Sequence, residues 1–73
     1  MYSAQERQFL LAIEKHITEG KEHIAKMRDL IADGDRQGFD MAEAKFRLGR
    51  FLNTQAEREA HRERVLAQLG RTV

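Results

Sequence analysis

The chain has 73 residues, no cysteine and no proline, and its 13 basic and 12 acidic side chains nearly cancel. That bounds it to one small domain, excludes disulfides and thiolate metal sites, and argues against the strongly basic class of nucleic-acid binders. No run approaches the roughly 20 apolar residues that span a bilayer, and the apolar run Phe9–Ile13 is too short for a signal peptide, so a cytoplasmic protein without a membrane partner is expected.

Ala, Leu, Glu, Lys, Arg and Gln dominate and β-branched residues are few; these are good helix formers, and the fold class reads as all-α. Ser3 is placed to cap the first helix, with Glu6 reaching back as in a capping box. From Arg7 the chain falls into heptads, "RQFLLAI", "EKHITEG", "KEHIAKM", "RDLIADG". One column holds Leu10, Ile17, Ile24 and Ile31, and a second holds Ile13, Gly20, Met27 and Gly34. This 3-4 alternation keeps one stripe on a partner helix. Phe9, His16, His23 and Leu30 form a third column that widens the stripe toward a further neighbour.

Helix one is expected over about 4–33, with Gly34 as the left-handed residue that ends it. Residues 34–40 then turn the chain. Asp40 is expected to cap helix two with Glu43 as its box partner, and Phe39 to staple weakly onto Ala44. Helix two is expected over about 41–69, with a frayed tail at 70–73. Met41, Ala44, Leu48, Phe51, Leu52, Leu66 and Leu69 share its inner face, but Gln55, Glu59 and Arg62 make the middle polar. A short loop between long helices gives an antiparallel hairpin in which the numbers of facing residues add to about 74. Met27 then meets Leu48 or its neighbour, Ile24 meets Phe51, and Gly20 lies beside Gln55.

A lone hairpin leaves half of so wide a stripe wet. Two hairpins packed as a homodimeric four-helix bundle would cover it. The expected dimer or partner interface comprises Phe9, Leu10, Ile13, His16, Ile17, Gly20, His23, Ile24, Met27, Leu30 and Phe51. If His16 and His23 pack there, charging their rings below about pH 6.5 should loosen the dimer.

The loop "DGDRQGFD" invites a calcium reading, with Asp33, Asp35, Gln37 and Gly38 near EF-hand positions. Position 12, which needs a bidentate glutamate, is Ala44, so the stretch reads as a turn. His16, Glu19 and His23 suggest a metal, but His16 and His23 stand two turns apart, about 10.5 Å, so no metal site is expected. Arg47, Arg50 and Arg58, joined by His61, make a basic side on helix two that could grip phosphates. Ser3 and Thr54 have no placed base, so neither catalysis nor a cofactor is expected.

The stretches "HITEGKEHIAKMRDLIA" and "GFDMAEAKFRL" resemble a group of short uncharacterised bacterial helical-hairpin proteins. The group shares a repeated His-Ile, a Glu-Gly between the two, and a Gly-x-Asp entry to a second helix. Glu19, Gly20, His23, Ile24 and Asp40 carry the likeness, which covers roughly residues 9–69. The chain departs from the group at Gly34, where helix one of the group runs further before the turn. The resemblance implies a hairpin and brings no activity, cofactor or partner. The expected function is therefore a non-enzymatic, self-associating protein for helix-mediated interaction or structure, with an unidentified protein as a further partner. The alternative is a small RNA- or DNA-binding regulator using Arg47, Arg50 and Arg58.

Overall fold

In the computed structural model, which describes residues 2–72, two helices pack against each other: α1 (Ala4–Arg36) and α2 (Ala42–Thr72). The all-α hairpin of the sequence reading is present, drawn out to 55 × 16 × 12 Å. None of the helices among the described residues is long and apolar enough to cross a membrane.

The start of α1 forms as its sequence dictates. The Ser3 backbone N–H donates to the Glu6 carboxylate at 2.9 Å, and the Glu6 N–H donates to Ser3 Oγ at 3.1 Å. Two otherwise orphaned donors are thereby satisfied. These bonds hold the Glu6 carboxyl below its ordinary value, the one from the Ser3 backbone contributing most.

The end of α1 lies further on than expected. The helix continues through Gly34 to Arg36, helped by the ion pair between Asp33 and Arg36. The left-handed residue is Gly38, at φ 82°. Its N–H donates to Asp35 O at 3.1 Å, and the Phe39 N–H donates to Gly34 O at 2.9 Å. Together these bonds make a Schellman motif. Gly34 is instead buried in the seam, where a Cβ would come within 2.9 Å of Met41 Cγ and Cε. It is glycine for close packing, as its place in the Gly20 column signals.

The second capping box does not form. Asp40 accepts from the Ala42 N–H at 3.0 Å, while Glu43 pairs with Arg47 at 2.8 Å. Phe39 is exposed and not stapled onto the helix. The helix α2 continues through Gly70 to Thr72, and Val73, the last residue of the expected frayed tail, lies outside the described residues.

The register agrees with the heptad reading. Gly20 faces Gln55 and Gly34 faces Met41, while His23 meets Phe51. The contact to Phe51 comes from the flanking His23, with ring centroids 4.4 Å apart at 69°. The buried apolar core is Ile17, Ile24 and Ile31, one residue every two turns and all from α1. Among the described residues of α2, the buried one is Gln55. Three such side chains, each worth about 1.5–3 kcal/mol when buried, are a slender core for helices of 33 and 31 residues.

Candidate functional site

The seam between the helices has two unlike sides. Residues that follow the α1 stripe, the column Arg7, Glu14, Lys21, Arg28 and Asp35, flank one side. There Arg62 bridges Glu14 at 3.5 Å and Glu63 at 2.8 Å, and Lys45 pairs with Asp35 at 3.1 Å. The hydrogen bond to Glu63, then the charge of Glu14, raises the Arg62 value further. Pairs of this kind are screened by solvent and add little to stability. They close this side with charge.

The other side is open. Residues that precede the α1 stripe (Phe9, His16, His23 and Leu30) meet the corresponding column of α2, Ala44, Phe51, Arg58 and Val65. A row of shallow depressions runs along it. Near the loop, Met27 and Leu30 face Ala44 and Arg47. Next come Arg47, Arg50, Phe51 and Thr54, tied to α1 through the His23–Phe51 contact. Then Ile13 and His16 face Arg58 and His61. At the far end Phe9 faces His61, Arg64 and Val65.

This arrangement unites what the sequence kept apart. The expected interface column and the expected basic side of α2 lie on one face. Arg58 is not outward with Arg47 and Arg50, because its Nη1 reaches back to within 3.3 Å of where a Gly20 Cβ would sit. Leu10, Ile13, Gly20 and Met27 are half-buried in the seam, and Ile17 and Ile24 are inside it. Those two are already covered by α2, so they serve the hairpin rather than a partner. Phe9 (51%), Phe51 (41%) and Leu30 (64%) remain exposed, as do both histidines. The sequence reading placed Ala44 on the inner face of helix two but did not put Thr54 and Arg64 with it; their spacing from Phe51 and Arg58 was the available signal.

From Arg47 to Gln68 the depressions are lined by arginine, histidine, Thr54, Gln68 and apolar residues, without a carboxylate. Such a surface can hold an apolar helix against its aromatic rings, and its guanidinium groups can stack on rings brought to it. Asp35 is paired with Lys45 and Asp40 caps α2, so the acidic groups of the loop serve the turn. Among the described residues no cluster of three metal-ligating side chains forms. Comparison of the chain with protein-family models, with curated proteins and with solved structures found no match.

Proposed function

We propose that the protein is a non-enzymatic helical interaction module that self-associates, its open face completing a four-helix bundle with a second copy. The carrying observation is the imbalance of burial: three isoleucines inside, against Phe9, Phe51 and Leu30 exposed on one side of the seam. A domain of this size without a staple gains its missing core by association. The resemblance to short bacterial hairpin proteins fits this architecture and adds no activity.

Two leucines allow a controlled test. Leu30 and Leu11 are equally exposed in the single hairpin, at 64% and 63%, but only Leu30 lies on the open face. Self-association through that face predicts that Leu30→Glu dissociates the protein while Leu11→Glu leaves its mass unchanged. Equal behaviour of the two variants would sink the reading.

A second reading has one specific observation behind it. Phe51 lies exposed between Arg47 and Arg50, an aromatic ring flanked by cations as in surfaces that bind single-stranded nucleic acid. Dimerisation would cover this ring, so the two readings compete for one surface. Retention on single-stranded RNA or DNA that weakens with salt, and is lost on reversing Arg47, Arg50 and Arg58, would favour the second.

A further inference from the structure

We infer that the second copy docks with both loops at the same end, so that each α1 lies on the partner subunit's α2. This rests on the self-association proposed above and concerns the arrangement of the pair.

Two hairpins can meet face to face about a twofold axis in two ways. An axis across the hairpins sets α1 on α1 and α2 on α2, with the loops at opposite ends. An axis along the hairpins sets α1 on α2 in both directions, with the loops together. The composition of the open face separates these. Its α1 half consists of Phe9, Ile13, His16, His23, Met27 and Leu30, with no carboxylate, lysine or arginine among them. Its α2 half carries Arg47, Arg50, Arg58 and Arg64; of the two carboxylates lining the depressions among the described residues, Glu43 is paired with Arg47 and Asp40 accepts from the Ala42 N–H. The whole helices lean the same way: α1 has seven acidic and six basic side chains, α2 four acidic and seven basic.

With the axis across, the arginine-rich α2 halves of both copies are brought together in a surface losing its water. Like charges in that setting are costly. With the axis along, the arginines of each α2 meet the uncharged rings of the partner's α1, where guanidinium groups stack favourably. The apolar steps also match. Levels already seen within one hairpin put Phe9 opposite Val65 and Leu30 opposite Ala44. The same levels recur between copies when the loops lie together, so large residues meet smaller ones.

The absence of cysteine makes the test direct. A nitroxide is attached at Gln37→Cys, an exposed position in the turn, and the spin–spin distance is measured between copies. Same-end docking predicts one distance under about 30 Å, from helix spacings of 8–10 Å plus the labels. A label at Gln8→Cys, near the open end, must also fall well short of the hairpin length. Distances near 55 Å, the length of the hairpin, would overturn the arrangement while leaving self-association intact. Monomeric mass of the labelled and unlabelled chains would overturn both.

Discussion

The Gln55 side-chain amide donates a 2.7 Å hydrogen bond to the Ile17 carbonyl oxygen, across the helix seam and out of solvent. Gln55 is 7% exposed, and its own Oε1 is buried without a partner. One bond is therefore gained and one acceptor left unsatisfied, two effects of similar size, each about 1 kcal/mol or somewhat more. The bond favours one register, because Gly20, facing Gln55, leaves room for the amide at that level.

Replacing Gln55 with Leu should therefore leave the hairpin as stable or raise its stability by about 1 kcal/mol, since an apolar residue of similar size removes the orphaned acceptor. Gln55→Ala should cost about 1–2 kcal/mol, because it leaves a gap over Gly20. Denaturant unfolding checks both. A Leu variant less stable than the Ala variant would show that the hydrogen bond, not the filled volume, dominates here.

Glycine-to-alanine changes at two helical positions should have opposite signs. A Cβ on Gly49 meets nothing within 4 Å, so Gly49→Ala should stabilise by about 0.5–1 kcal/mol through helix propensity alone. A Cβ on Gly20 would land on the Gln55 amide, 2.9 Å from its Cδ. Gly20→Ala should destabilise by about 1–2 kcal/mol despite the same propensity gain. Combining it with Gln55→Ala should recover most of the loss. Additive effects in the double variant would contradict the contact.

The heptads made the helices, the antiparallel pairing and the Gly20–Gln55 level legible, because a 3-4 repeat fixes which residues face a partner. The end of α1 was not, since Gly34 and Gly38 both suit a left-handed cap and only packing against Met41 tells them apart. The open face was half legible. In α2 the apolar residues Phe51 and Leu52 fall on opposite flanks, and the polar middle blurs the centre of the stripe. Arg47, Arg50 and Arg58 therefore read as outward. Arg58 turns inward because a glycine across the seam leaves it space, a long-range fact that no helical wheel contains.

The first turn of α1 should be acid-sensitive. The Glu6 carboxyl is held below its ordinary value by the hydrogen bonds from Ser3. Its contribution is thus present above the usual glutamate range and lost as pH falls through the lowered value. Measured against their intrinsic exchange rates, the amides of Ser3, Glu6 and Arg7 should lose protection on acidification toward pH 3, and Glu6→Gln should flatten that dependence. A first turn equally protected at pH 7 and pH 3 would contradict the capping box in solution.

If a second copy covers the open face, light scattering across a dilution series gives a mass twice that of the 8.5 kDa chain, held through dilution to micromolar concentration. A folded protein at the mass of one chain would contradict it, and would leave Phe9, Leu30 and Phe51 open to solvent.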